Sequence, residues 1–300
     1  MKSVTSKTTT LRRASACARV RTTPETIARM QANDLPKKDV LIVARVAATS
    51  AVKKTADLIP YCHPIPIDFV EVNFEVGKDA VNISASVEAI WKTGVEMEAM
   101  TAASTAALTV YDMLKPVDKD IVIEEVRLEK KKGGKSSFKD EVPPGFKAAV
   151  IVTSDGTSAG KREDKSGRII LERLRSYGIE PSYEILPDDE ETIAALLREL
   201  VGDGIDLIVT TGGTGLSPRD VTVEATRRVV EREVPGIVEA CRTYGQSRTP
   251  YAMLSRGLAG VAGNTIIVNL PGSSKGAEES MNAIFPALFH AYPMLRGGGH

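Results

Sequence analysis

The chain is poor in cysteine, in aromatic residues and in net charge. Only Cys17, Cys62 and Cys241 occur among 300 residues. They are odd in number and far apart, which does not fit a disulfide framework and points to a reducing compartment. Lys+Arg and Asp+Glu are equal at 39 each, so no global charge draws the chain to nucleic acid or to an acidic membrane. Any cationic site must be local. No apolar run approaches the roughly 18 residues of a membrane span. Histidine is scarce, and His63 is the only one in the first half. These absences read as a cytoplasmic protein with no nucleic-acid and no membrane partner. What remains is a globular balance of 42% hydrophobic and 26% charged residues, at a length that suits two domains.

The N-terminus is less ordinary. Met1 to Thr23 is basic, rich in Ser and Thr and free of acidic residues, a composition shared with organelle transit peptides. It lacks the apolar stretch of a secretory signal.

The second half is organised around Asp206-Leu-Ile-Val-Thr-Thr-Gly-Gly-Thr-Gly-Leu-Ser-Pro-Arg-Asp220. Leu207 to Val209 is a short apolar run, the signature of one buried strand. Gly212, Gly213 and Gly215, with Thr214 among them, let the backbone turn sharply and approach a ligand. Asp220 precedes Val221 to Glu233, which reads as a helix. A backbone nest suited to an anion thus adjoins a carboxylate. The loop is neither a Walker A sequence nor a G-x-G-x-x-G, and it can also be read as a turn without a ligand.

In the first half, Val40 to Thr49 (VLIVARVAAT) is β-rich, and Ala51 to Ile59 reads as a short helix. Phe69 to Val76 and Val81 to Val87 alternate around Gly77-Lys78-Asp79, which predicts a hairpin. Val95 to Leu114 reads as a long helix and Ile121 to Leu128 as a strand. This half is therefore α+β. Glu129 to Gly145 (EKKKGGKSSFKDEVPPG) has linker composition, which divides the chain into 1–142 and 143–300.

Beyond the linker, strands and helices alternate. Ala148–Thr153, Ile179–Leu186, Leu207–Thr211 and Thr265–Leu270 read as strands. Ser166–Tyr177, Glu190–Val201, Gly236–Gln246 and Gly276–His290 read as helices, with Gly178 closing the first and Asp189 capping the second. This rhythm predicts an α/β domain with a mostly parallel sheet covered by helices on both faces.

Asp155, Asp188 and Asp220 each follow a predicted strand, so all three can face one crevice. Asn269-Leu-Pro-Gly-Ser-Ser274 leads from the last strand into a helix whose N-terminus favours anions. Lys161, Arg219 and Lys275 lie nearby in sequence. Carboxylates beside a phosphate-ready nest suit a Mg²⁺–nucleotide complex, because Mg²⁺ prefers one or two carboxylates plus substrate phosphates. Each Asp alone can equally be a turn or cap residue.

Read together, Ser154-Asp155 with Gly160, Asp164-Lys165-Ser166-Gly167, Leu186-Pro187-Asp188, Thr211-Gly-Gly-Thr-Gly215, Pro218-Arg219-Asp220-Val221-Thr222 and Leu270-Pro271-Gly272-Ser273 resemble the molybdopterin-binding adenylyltransferases. The resemblance covers about Lys147 to Ala291. It implies ATP-dependent adenylylation of molybdopterin. It makes Asp188 and Asp220 the catalytic acidic pair, with Mg²⁺ on ATP as the metal. It places Asp155, Gly212, Gly213, Thr214, Gly215, Pro271, Gly272 and Ser273 in the substrate pocket.

The long helix of the first half carries Glu98, Thr101, Thr105, Leu108, Asp112 and Lys115 on one stripe. On spacing alone, Asp112 and Lys115 are a surface ion pair. Ala99, Ala102, Ala103, Ala106 and Ala107 crowd its middle and permit close approach of another helix. Leu58-Ile-Pro-Tyr-Cys-His-Pro-Ile-Pro66 is stiffened by three prolines. His63 there has no second Cys/His pair at zinc-ligand spacing, and can be either a buried histidine or an acid–base group.

Lys54-Thr55, Asp57-Leu-Ile-Pro-Tyr-Cys-His-Pro64, Lys92-Thr-Gly-Val-Glu-Met-Glu98, Thr101-Ala-Ala-Ser104, Tyr111-Asp112-Met113 and Gly133-Gly134-Lys135-Ser136 resemble cyclic pyranopterin monophosphate synthase, from about Thr10 to Lys139. The resemblance implies a ferredoxin-like fold, a hexamer, and conversion of cyclised dihydro-GTP to cyclic pyranopterin monophosphate and diphosphate. Asp112 and Lys115 match its catalytic pair. Arg12, Lys37, Tyr61, Cys62, His63, Glu96, Met97, Glu98, Lys131 and Lys135 match its substrate pocket or rim. Tyr61 stands where a smaller aliphatic residue is expected, and Lys38 where Gly is expected. The match at Arg12 assigns the basic N-terminal segment to the fold rather than to a transit peptide.

The combined expectation is a bifunctional enzyme of molybdenum-cofactor synthesis, a homo-oligomer built on a hexamer or trimer. It has no covalent cofactor. Its ligands are cyclised dihydro-GTP, molybdopterin and ATP. The alternative is one catalytic half joined to a half that only binds pterin or nucleotide, or only oligomerises.

Overall fold

A computed structural model describes residues 1–134, 137 and 140–297. The chain forms two compact units, Met1–Phe138 and Lys139–His300.

The first unit runs β1 (Thr10–Arg21), α1 (Pro24–Gln31), α2 (Val40–Val52), α3 (Thr55–Leu58), β2 (Phe69–Val76), β3 (Ala80–Trp91), α4 (Glu96–Leu114) and β4 (Val122–Lys132). The strands form one antiparallel sheet in the order β2-β3-β1-β4. The basic N-terminal segment supplies β1, a central strand. Its Ala14, Ala16, Ala18 and Val20 are buried at the strand period of two. On β3, Val81, Ile83, Ala85 and Val87 face the same core. The predicted hairpin is present, pairing Val76 with Val81 and Val70 with Val87.

Helix α4 lays its alanines on this sheet. Ala99, Ala102, Ala103, Ala106 and Ala107 are fully buried, and α2 packs on the same helix.

The β-rich reading of Val40 to Thr49 is overturned, because the segment is helical. Val40, Ala44, Ala48 and Val52 are its buried residues at four-residue steps, and that packing outweighs the β-branched composition. The helix expected over Ala51 to Ile59 is reduced to the four residues of α3. The linker reading of Glu129 also starts too early. Lys130, Lys131 and Lys132 pair with Ser15, Ala14 and Arg13, so β4 runs into the charged stretch with its solvated side chains outward.

The second unit runs β5 (Ala148–Thr153), α5 (Asp155–Ser158), α6 (Ser166–Arg175), β6 (Ser182–Leu186), α7 (Glu190–Gly202), β7 (Leu207–Thr211), α8 (Thr222–Arg227), β8 (Arg232–Glu233), α9 (Pro235–Gln246), β9 (Ala259–Ala262), β10 (Thr265–Leu270), α10 (Ser274–Ile284) and α11 (Ala291–Leu295). The sheet order is β6-β5-β7-β10-β9-β8. The first four strands are parallel and the last two antiparallel. Alternate residues serve opposite faces. Val150 and Val209 pack with Ile170, Leu174, Ala277 and Met281 on one side; Ile151 and Ile208 pack with Ile193, Leu197 and Ala225 on the other. The sheet is thus mixed, mostly parallel, and covered on both faces.

Two helix expectations fail at their C-terminal ends. Val221 to Glu233 is not one helix: α8 stops at Arg227, and Glu231 donates to the Val261 carbonyl at 2.8 Å as the chain joins the sheet edge. Gly276 to His290 breaks after Ile284, where Pro286 has no amide hydrogen to continue the ladder. Strand β9, Ala-Gly-Val-Ala, carries no sequence signal because its side chains are so small.

Candidate functional site

The loops after β5, β6 and β7 bring the three predicted carboxylates of the second unit together. The Asp155 amide donates to Asp188 Oδ2 at 3.0 Å, and the Asp188 amide donates back to Asp155 Oδ1 at 3.0 Å. Arg219 Nε donates to Asp155 Oδ2 at 3.1 Å. That pairing holds the Asp155 carboxyl below its ordinary range. Asp188 moves the opposite way. Burial raises its pKa, and the charges of Asp155 and Asp220 push it further. Asp220 Oδ2 accepts from the Ser217 amide at 2.8 Å.

The glycine loop is shaped by close approach. Gly212 has φ 104° and Gly213 φ 60°. A Cβ on Gly212 would lie 2.1 Å from the Thr153 carbonyl, and one on Gly213 would lie 2.0 Å from Thr222 Oγ1. No other residue fits there. Gly272 packs against this turn, with its virtual Cβ 3.1 Å from Gly212 Cα. Gly212, Gly213, Gly272 and Ser273, with Asp220, are common walls of two cavities. The cavity of about 650 Å³ carries Ser154, Thr157, Arg162, Lys165 and Asp188; the cavity of about 530 Å³ carries Thr214, Gly215, Cys241, Arg242, Tyr251, Pro271 and Lys275. Arg162 and Lys165, not the expected Lys161, supply the cations of the polar cavity. Among the described residues no three His, Cys, Asp or Glu side chains form a ready-made metal cage. Asp188 and Asp220 instead offer the small carboxylate set that Mg²⁺ takes with substrate phosphates.

Sequence reasoning quoted Asp164 within a motif without giving it a role, and it missed Arg256 altogether. Asp164 caps α6, accepting from the Gly167 amide at 2.9 Å, the Arg168 amide at 3.1 Å and Tyr183 Oη at 2.5 Å. Arg256 donates to the Gly215 carbonyl at 2.6 Å from 41 residues away, so no local pattern could reveal it.

In the first unit, Asp112 sits between two lysines. Lys37 Nζ is 2.5 Å from Asp112 Oδ2, and Lys115 Nζ is 2.7 Å from Oδ1. Hydrogen bonds from Lys115 and Lys37 lower the Asp112 pKa to about 2, and the same contact raises that of Lys115. The spacing argument found this pair; the long-range Lys37 contact needed the fold.

The remaining expected residues gather elsewhere. Glu96 and Glu98 are in the first turn of α4, and Lys131 Nζ lies 3.6 Å from Glu96 Oε1. Glu98 is buried, its Oε2 has no hydrogen-bond partner, and burial raises its pKa. Cys62 is raised by burial and by the nearby Glu98 charge. His63 is half-buried, while Tyr61 and Met97 are exposed. Arg12 is buried and spends its guanidinium on the carbonyls of Trp91, Lys92 and Thr8. Lys135 lies outside the described residues. Asp112 is 14 residues beyond Glu98 on one helix, about 21 Å along its axis. One copy of the unit therefore does not bring all the expected residues into a single site.

Fold and sites define a class: two compact units in one chain, each with its own cluster of charged residues. A model of the MoaC family matches residues 1–134, and a model of a probable molybdopterin binding domain matches residues 149–290. A molybdenum cofactor biosynthesis bifunctional protein of Chlorobaculum tepidum is 44% identical, covering 100% of this chain and 96% of the relative. A bifunctional protein of the same description from Synechococcus elongatus is 36% identical over 98% of this chain and 97% of its own length. A cyclic pyranopterin monophosphate synthase of Listeria monocytogenes is 51% identical over 143 residues, 47% of this chain and 89% of that one. The chain belongs to the bifunctional molybdenum cofactor biosynthesis proteins.

Proposed function

We propose that the first unit converts 3′,8-cyclo-7,8-dihydro-GTP to cyclic pyranopterin monophosphate and diphosphate, and that the second transfers AMP from ATP to molybdopterin. The observation that carries the second activity is the pair of cavities divided by the Gly212–Gly213 and Gly272–Ser273 wall, with Asp220 at their junction and Asp188 in the polar cavity. Two ligands can meet across such a wall. Asp188 and Asp220 would hold Mg²⁺, which supplies charge neutralisation at the phosphates. Arg162 and Lys165 would bind phosphate oxygens, and the Ser273 end of α10 adds backbone donors.

For the first activity, Asp112 fixes Lys37 and Lys115 as two adjacent cations that can meet developing phosphate charge. The β-α-β-β-α-β order with strands β2-β3-β1-β4 supports a ferredoxin-like assignment. The distance between the two ends of α4 supports a homo-oligomer, hexameric or trimer-based. There a second copy completes the pocket that Glu96, Glu98, Cys62 and His63 begin. No helix among the described residues is long and apolar enough to cross a membrane, and we place the protein in the cytoplasm.

The test is to supply the purified intact chain with cyclised dihydro-GTP, and separately with ATP, Mg²⁺ and molybdopterin. Cyclic pyranopterin with diphosphate from the first, and adenylylated molybdopterin from the second, are the expected products. Absence of either product from a folded, oligomeric preparation overturns that half of the proposal.

A further inference from the structure

The segment between Gly215 and Asp220 has a mechanical problem. Leu216, Ser217, Pro218 and Arg219 are exposed, and the loop must still hold a carboxylate at a fixed point. Asp220 Oδ2 already accepts from Ser217 within the loop. If the carboxylate alone held the turn together, any ligand that drew it away would loosen the turn.

Arg256 removes that conflict. It leaves the turn Pro250–Leu254 and enters the segment before β9. Its amide donates to the Thr214 carbonyl at 2.9 Å. Its Nε donates to the Gly215 carbonyl at 2.6 Å and its Nη2 to the Asp220 carbonyl at 2.5 Å. Nη1 pairs with Glu224 Oε1 at 2.5 Å, on α8. One planar fork therefore ties both ends of the loop to the helix that follows it. The Asp220 amide is held too, donating to the Ser217 carbonyl at 2.9 Å. The backbone of Asp220 is anchored on both sides without using its carboxylate.

Neither Arg256 nor Glu224 lines either cavity. The pairing holds the Glu224 carboxyl below its ordinary range, so the two charges offset one another. This arrangement adds geometry to the site, with little added field. A lysine could not replace it, because a single ammonium cannot present parallel N–H groups to two carbonyls and a carboxylate.

We propose that Arg256, oriented by Glu224, is the positioning residue of the second site, setting the Gly212–Asp220 loop and through it the Asp220 carboxylate. The role rests on the adenylyl-transfer reading of that site. Holding reacting groups in place is worth large factors, and displacement by about 1 Å can cost about 10²-fold in rate.

The experiment uses the full chain with Arg256→Lys and Glu224→Gln. It measures kcat and KM for AMP transfer, amide exchange over residues 212–220, melting temperature, and diphosphate release by the first unit. Arg256→Lys should lower kcat by about 10²-fold with KM for ATP changed less than about 3-fold. Amide protection in the loop should fall while the first activity stays at the wild-type level. Glu224→Gln keeps an acceptor and should show the same split with a smaller kcat loss; it also decides the matter if Arg256→Lys melts near the assay temperature. A wild type that transfers AMP, with both variants matching its kcat, overturns the positioning role alone. Equal proportional effects on kcat, KM and melting temperature in both variants also overturn it, as a purely structural role. A wild type that transfers no AMP overturns the adenylyl-transfer reading instead, and the exchange data then report only how the loop is held.

Discussion

Asp112 and Asp188 are both carboxylates proposed to act in catalysis, and their surroundings drive them apart. Asp112 is exposed between Lys115 and Lys37, and its pKa falls to about 2. Asp188 is half-buried beside Asp155 and Asp220, and its pKa rises. The first is locked as an anion that arranges cations. The second is harder to ionise than an ordinary aspartate, because burial and two neighbouring carboxylates disfavour its charge. The contrast shows that residue type does not assign chemistry; burial and the partners of the carboxylate do.

The contrast can be strained from both sides. The largest effect is expected at the second site, where Asp220→Asn keeps shape and removes charge. AMP transfer should fall by about 10³-fold while molybdopterin binding, measured by equilibrium titration, survives. Normal turnover would remove Asp220 from the chemistry. At the first site, Lys115→Ala and Asp112→Ala should each cut diphosphate release by at least about 10²-fold. The double variant should be little worse than either, since the two act as a unit. Wild-type release from Lys115→Ala would reduce the pair to a surface ion pair.

A smaller and more selective effect is expected from pH. In carbon-labelled aspartate spectra, Asp112 should stay ionised down to about pH 3, while Asp188 titrates above the ordinary aspartate value of about 3.9. AMP transfer should decline as pH falls through the Asp188 transition. Asp188 titrating at or below the ordinary value would erase the contrast. The smallest effect is on stability. A raised carboxylate pKa means the folded state binds the proton more tightly than the unfolded chain, so ionisation destabilises the fold above that pKa. Asp188→Asn should therefore raise the melting temperature slightly near neutrality, and the gain should vanish as pH falls through the Asp188 transition. A lower melting temperature than wild type at pH 7 would contradict the sign.

Much of the second unit was legible in the sequence, for physical reasons. Its buried strands β5, β7 and β10 are short, mostly apolar runs ended by Ser154-Asp155, Gly212-Gly213 and Pro271-Gly272. Asp189 caps α7 through the Thr192 amide at 2.9 Å, as its position before an amphipathic run predicts. The first unit was harder. Val40–Val52 is rich in β-branched residues, and only its burial period of four, set by packing on α4, makes it helical. The weak strand β9 has almost no side chain to read. In the sites, groups close in sequence, such as Asp112 and Lys115, were visible from spacing. The long-range contacts that depend on folding were not. Lys37 reaches Asp112 across 75 residues, and Arg256 reaches Asp220 across 36.

The central claim is that each unit, assembled only with its own copies, carries one complete reaction. The direct measurement is to express residues 1–142 and 143–300 separately and to assay both reactions on each piece and on the intact chain. The account predicts two folded pieces, the first releasing diphosphate from cyclised dihydro-GTP and the second alone transferring AMP to molybdopterin, each near the intact chain's rate. Pieces that precipitate, or that fold but lose an activity the intact chain retains, would contradict it.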